Sequence, residues 1–137
     1  MNIAIITCFL AEHRLQYIKQ AMLEEGHNVK IITSDFNHIK KEKIIEESEE
    51  KIYIDTIKYK KNLSIRRIYS HYNFSNKVIK QIKKMKLDLI YCMLPPNFLA
   101  KKIIKYKEKQ SNVKVIFDII DLWPETLPGK KIKEKLK

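Results

Sequence analysis

Asn2-Ile-Ala-Ile-Ile-Thr-Cys8 is a continuous apolar run near the start of a chain of 137 residues. A strand with one wet face alternates apolar and polar residues, and this one does not. It therefore reads as a strand covered on both faces, the signature of a parallel sheet between two helical layers. The first ten residues, MNIAIITCFL, also lack a basic leader region and a small-residue cleavage site, so they read as a strand and not as a signal peptide.

Working outward, Leu15, Ile18 and Met22 recur at helical spacing, and Gly26 supplies a stop. Val29–Thr33 is a second apolar strand. Ser34–Glu50 is polar and acid-rich, with a short helix expected near Lys41–Glu49, and Ile52–Tyr59 is a third strand. Asn62 or Ser64 can cap a long helix with apolar positions Ile65, Ile68, Tyr72, Ile79 and Ile82. Leu87–Met93 is the fourth strand, ended by Pro95 and Pro96, and a helix to about Lys109 follows. Val113–Ile119 is the fifth strand; a loop with Trp123, Pro124 and Pro128 comes next, and Lys130–Lys137 opens a further helix.

Strands alternating with helices require right-handed crossovers and a parallel sheet. The expected fold is α/β: a Rossmann-like three-layer α/β/α domain over residues 1–129, about five strands in the order 3-2-1-4-5. Residues 130–137 would begin a further helix, so that half of any cleft lies outside these 137 residues. Strands one and four are then neighbours, which brings Cys8 and Cys92 together. Ligands of such sheets bind outside the carboxyl ends of the strands, at the switch point between strands one and four. The loops to inspect begin at Cys8, Ser34, Met93 and Ile120.

Composition excludes several classes. An apolar content of 45% suits one globular domain, and no apolar run reaches the ~18 residues of a membrane span. Two cysteines without CxxC spacing read as reduced, buried thiols, and no metal constellation appears. Two glycines, Gly26 and Gly129, cannot supply a dinucleotide fingerprint, and there is no Walker A sequence, so no cofactor is expected. The formal charge is +12, with ten lysines against Asp88 and Glu108 between Lys77 and Lys109. That stretch is either a solvated surface or a face for a phosphorylated substrate or an anionic membrane. Nucleic acid is not an expected partner: the aromatics form no stacking platform and no recognition motif appears.

The most informative stretch is Asp118-Ile-Ile-Asp-Leu-Trp-Pro-Glu-Thr-Leu-Pro128. Asp121 and Glu125 flank Trp123 at the ligand-binding edge. Carboxylates there can accept hydrogen bonds from sugar hydroxyls, and an aromatic face can pack on a sugar ring. Alternatively, Asp121 caps a turn and Trp123 plugs the core. His38, with Lys40 and Lys41, can hold a phosphate or a hydroxyl. Arg66 and His71 stand at i and i+5 on the long helix, so they form no single stripe, and His27 reads as an exposed cap.

DIIDLWPE resembles the D-x-x-D-L-W-P-E stretch of bacterial glycosyltransferases in the large retaining family four, which have the two-domain GT-B architecture. TSDFNHIKK is similar to a TSDF-x-H-x-x-K segment of members making capsule or O-antigen polysaccharide. Tyr59-Lys-Lys-Asn-Leu-Ser-Ile-Arg66, and Ser70-His71 with Phe74 beyond, look like Y-x-x-N-x-S-x-x-R and S-H-x-x-F segments. Tyr91-Cys-Met-Leu-Pro-Pro96 is similar to a YC-x-x-PP segment, which places Pro95 at the site. The resemblance spans the chain but only the amino-terminal half of those enzymes.

That resemblance implies an acceptor-binding half, taking a saccharide or a polyprenyl-diphosphate-linked acceptor, in the cytoplasm or peripherally on the inner membrane face. The nucleotide-sugar donor would bind mainly through the other half, whose E-x7-E segment has no counterpart here. Asp121 is then the candidate catalytic residue, with Glu125, Trp123, His38, Lys40, Arg66, His71 and Pro95 as substrate contacts. Glu12 and His13 stand where relatives carry paired glycines against the donor diphosphate. The alternative is a non-catalytic acceptor-binding or membrane-recruiting subunit that partners a separate donor-binding chain.

Overall fold

The structure is a computed structural model and describes residues 1–9, 13–44 and 46–121. Strand β1 (Asn2–Thr7) lies at the centre. Beyond it come helix α1 (His13–Glu24), β2 (Asn28–Ser34), the two-residue strands β3 (Phe36–Asn37) and β4 (Glu42–Lys43), and β5 (Lys51–Ile54). Helix α2 (Ile65–Ile82), β6 (Leu89–Leu94), α3 (Asn97–Lys109) and β7 (Lys114–Ile119) complete the order. The main sheet runs β5-β2-β1-β6-β7, and every neighbouring pair in it is parallel. Counting its strands alone, this is the expected 3-2-1-4-5. The difference is the antiparallel β3–β4 ribbon, which stands apart from that sheet.

The apolar run of β1 is explained by its two faces. Ala4, Ile6 and Cys8 pack towards α2 and α3, while Ile3 and Ile5 pack towards α1 with Leu15. β6 divides in the same way, with Ile90, Cys92 and Leu94 on one side and Leu89 and Met93 on the other. Each fully buried isoleucine contributes about 1.5–3 kcal/mol, so a polar residue at any of these positions would be felt. Ile6 and Cys92 are register partners, which brings Cys8 and Cys92 into one core, both buried and free.

Three local expectations are corrected. No helix forms among the described residues near Lys41–Glu49. Asn37 accepts from the Ile39 and Lys40 backbone N–H groups at 3.0 Å, and Lys41 turns at φ 62°, which closes the β3–β4 hairpin instead. The third strand stops at Ile54, because the Thr56 N–H turns away to Asp35 Oδ1 at 2.8 Å and its hydroxyl caps the Ile54 carbonyl. The buried stripe of α2 is His71, Phe74, Val78 and Ile82, whereas Ile65 is 85% exposed and Tyr72 lies on the surface. Apolar residues occur all round this helix, and contact with the sheet chooses among them. The helix expected over Lys130–Lys137 lies outside the described residues, and the described part of 1–129 holds one five-stranded sheet and the two-stranded ribbon.

Helix ends follow local chemistry. Ser64 caps α2, its Oγ accepting from the Arg67 N–H at 3.2 Å. Gly26 closes α1 at φ 76°, a left-handed backbone that favours glycine, and His27 N–H then reaches the Met22 carbonyl at 3.1 Å.

Candidate functional site

At the carboxyl edge of the sheet, two hydroxyl residues turn the chain sharply. Thr7 Oγ1 accepts from the Phe9 N–H at 3.3 Å and donates to its carbonyl at 2.8 Å. Ser34 Oγ accepts from the Phe36 N–H at 3.0 Å in the same way. The ring centroids of Phe9 and His38, one from each loop, lie 4.5 Å apart.

A cleft of about 240 Å³ opens there. Thr7 and Phe9 line it at the end of β1, Leu94 and Pro95 at the end of β6, and Ile120 and Asp121 just past β7, together with His38 and Arg67. The volume is below the ~300 Å³ at which drug-sized ligands begin, so the described walls suit one sugar-sized or phosphoryl-sized group.

Two cations gather around Tyr59. Arg67 Nη1 donates to the Asn62 carbonyl at 2.9 Å, and the guanidinium lies 5.9 Å from the Tyr59 ring centre. The Lys41 ammonium lies 4.8 Å from that same ring and hydrogen-bonds the Asn62 side chain. Neither cation has a carboxylate partner among the described residues. Burial, then the charges of Lys41 and Arg67, lower the pKa of His38. His71 is pushed down to about 3, chiefly by burial and then by Arg67. Both imidazoles are neutral at pH 7. The Cys8 and Cys92 thiols are pushed up to about 12 by burial, which leaves them without nucleophilic character.

The residues singled out from sequence separate into groups. Asp121, Pro95 and His38 line the cleft, and Asp121 is exposed with no hydrogen bond or ion pair among the described residues. His71 is 7% exposed and lies beneath, its ring 5.8 Å from Phe9 and 6.2 Å from Tyr59, so it supports the wall instead of forming it. Lys40 is exposed and outside the cleft, because Asn37 turns the chain there. Arg66 also points elsewhere: its Nε donates to the Lys58 carbonyl at 2.7 Å, beside a separate groove. His13 is the exposed first residue of α1. Glu12, Trp123 and Glu125 lie outside the described residues.

Arg67 is the residue that sequence reasoning passed over, and the signal was present. In Y-x-x-N-x-S-x-x-R spacing counted from Tyr59, Asn62 and Ser64 fall in place and the arginine falls on Arg67, not on Arg66. All four take part in one local structure: Tyr59 under the cation, Asn62 accepting from it, and Ser64 capping its helix. Asp118, the first acid of the D-x-x-D stretch, is structural. It is buried, accepts from Arg14 Nη2 at 2.6 Å and Nε at 2.8 Å, and accepts from the Tyr91 hydroxyl at 2.9 Å.

Among the described residues no group of three or more His, Cys, Asp or Glu side chains is placed to hold a metal. No described helix is long and apolar enough to cross a membrane. The fold and cleft define a Rossmann-like α/β domain with a recess at its carboxyl rim lined by Phe9, His38, Arg67 and Asp121. Compared with known proteins, the chain matches no family model, no curated protein and no solved structure.

Proposed function

We propose that this chain is the acceptor-side domain of a retaining GT-B glycosyltransferase of the capsule or O-antigen type. It would hold a saccharide or polyprenyl-diphosphate-linked acceptor for transfer from a nucleotide sugar. One observation carries the reading: among the described residues Asp121 lines the carboxyl-rim cleft without a partner, while Asp118, three residues earlier, is fully engaged. A carboxylate kept free at a ligand-binding edge is available to orient an acceptor hydroxyl. Phe9 offers an apolar wall for a sugar ring beside it.

In this reading the chemistry comes from positioning the acceptor and stabilising the departing diphosphate, with no protein nucleophile. The donor would be held mainly by a second domain, with the cleft forming between the two. The experiment is Asp121→Ala in the complete gene product. Turnover should fall by roughly a hundredfold or more, as for loss of a positioned group, with the melting temperature unchanged. Equal turnover with a lower melting temperature would assign Asp121 to a structural turn and remove the reading.

A second reading, a non-catalytic subunit that recruits acceptor or membrane, is favoured by a groove of about 980 Å³ between α2 and α3. Lys80, Lys83, Lys102, Lys105 and Lys109 line it against Glu108 alone, and Lys77 is tied to Asp55 at 2.8 Å. Each lysine near an anionic bilayer adds about 1 kcal/mol of attraction. Tight binding to anionic vesicles together with an unimpaired Asp121→Ala enzyme would favour this second reading and a peripheral site on the inner membrane face.

A further inference from the structure

We propose that Arg67, Lys41 and His38 form a binding site for a phosphoryl group at the inner end of the cleft. Two cations are held against one aromatic ring, Tyr59, with no carboxylate partner among the described residues. Like charges gathered in a partly desolvated place repel one another, and a bound anion removes that repulsion. The local sequence compounds it. Arg66 and Arg67 occupy the first turn of α2, which has no acidic residue, so their charges oppose the helix dipole. A choice that breaks a local rule this way marks function more often than stability.

Two buried nitrogens, Arg67 Nε and His71 Nε2, have no hydrogen-bond partner in the same cluster, and His71 is 93% covered. Arg67 and His38 line the cleft, while Lys41 lines the separate groove with Tyr59 and Ser64. In this proposal the phosphoryl group bridges the two cations across the Tyr59 edge, with Arg67 at 5.9 Å and Lys41 at 4.8 Å from the ring centre. Two positive charges match a diphosphate diester, which carries one negative charge on each phosphoryl group, better than the single charge of a carboxylate. Arginine supplies the planar fork that phosphate oxygens accept, and lysine the point charge.

The inference deepens the acceptor reading, on which it rests for the identity of the ligand: the anionic end of a diphosphate-linked acceptor would anchor here, with its sugar reaching Asp121. The groups facing His38 are Phe9, Lys41, Arg67 and His71, with Asp121 across the cleft. An anion beside His38 offsets Lys41 and Arg67, so its pKa rises on binding.

The test follows the His38 ring resonances by NMR while inorganic phosphate, pyrophosphate or a short prenyl diphosphate is added, with chloride at matched ionic strength as control. A saturable shift and an upward move of the His38 titration are expected with pyrophosphate. Arg67→Gln should weaken binding by about tenfold or more, the loss of a charged hydrogen bond. Arg66→Gln, the same charge change one residue away, should alter it by no more than about twofold, since exposed charges are screened. Arg67→Lys, with intact spectral dispersion, guards against misfolding of the glutamine variant and should bind between the two. Chloride acting as well as pyrophosphate, or equal losses from the two glutamine variants, would overturn the proposal. A prenyl diphosphate binding no tighter than pyrophosphate retains the phosphoryl site and assigns it to a free anion. Phosphoryl binding without any acceptor-saccharide binding leaves this site standing and removes the sugar-transfer reading.

Discussion

Arg14 and Asp118 meet in a two-pronged pair at 2.6 and 2.8 Å, tying the first turn of α1 to the far end of β7. The two ends of the contact differ. Asp118 has a side chain only 6% exposed, whereas Arg14 is 59% exposed. The exposed arginine is screened, so the pair is worth less than a fully buried one. The cost of breaking it falls on the carboxylate side. Asp118→Asn should destabilise by about 1–3 kcal/mol, because Tyr91 and Arg14 lose a charged acceptor. Arg14→Gln should cost less, because its exposed guanidinium is screened by solvent. Chemical denaturation of the two variants checks the order. If activity of Asp118→Asn falls no further than its folded fraction, the structural role of this acid and the free role of Asp121 are separated.

The pH dependence of stability carries a sign from His71. Its folded pKa of about 3 lies below the ordinary value of 6.5, so the unfolded chain takes up a proton first as pH falls. The His71 contribution is full above pH 6.5 and is lost progressively down to about pH 3. Within that window the folding equilibrium should change by about tenfold per pH unit on account of this group. His71→Asn should remove about one proton from the measured slope, whatever it does to stability at pH 7. An unchanged slope would show that the imidazole is hydrated in solution.

Ser64 supplies the cap that sets where α2 begins, and with it the place of Arg67. Ser64→Ala should cost about 1 kcal/mol, or roughly 3 °C in melting temperature. Ser64→Asp should lose less than Ser64→Ala, since it keeps the acceptor and adds charge favourable to the helix dipole, though it cannot donate to the Lys61 carbonyl as the hydroxyl does. Any loss of ligand affinity in Ser64→Ala beyond the folded fraction would report displacement of Arg67.

Much of the sheet was legible because its signals are local. Ile3, Ile5 and Ile6 announce a strand buried on both faces, and Gly26 announces the end of the first helix. The antiparallel ribbon was hidden because its turn is made by Lys41, a residue with no intrinsic preference for a left-handed backbone. The inward face of α2 was hidden because Ile65, Ile68 and Tyr72 compete with Phe74 and Val78, and only the sheet decides between them. Asp121 at the rim followed from the position of β7 alone. Arg67 did not, because two adjacent arginines lie about 100° apart around a helix, and one residue of phase separates the cleft from a carbonyl of the neighbouring loop.

The most direct test of the acceptor-site account is a backbone amide footprint of the chain with a short-chain prenyl-diphosphate-linked sugar, run beside a nucleotide sugar. The account predicts that shifts from the prenyl-linked sugar gather at Thr7, Phe9, His38, Leu94 and Asp121, while the nucleotide sugar binds weakly or not at all. Shifts confined to the opposite rim, around Asn2, Asn28 and Asp88, or sub-micromolar binding of the nucleotide sugar, would contradict it.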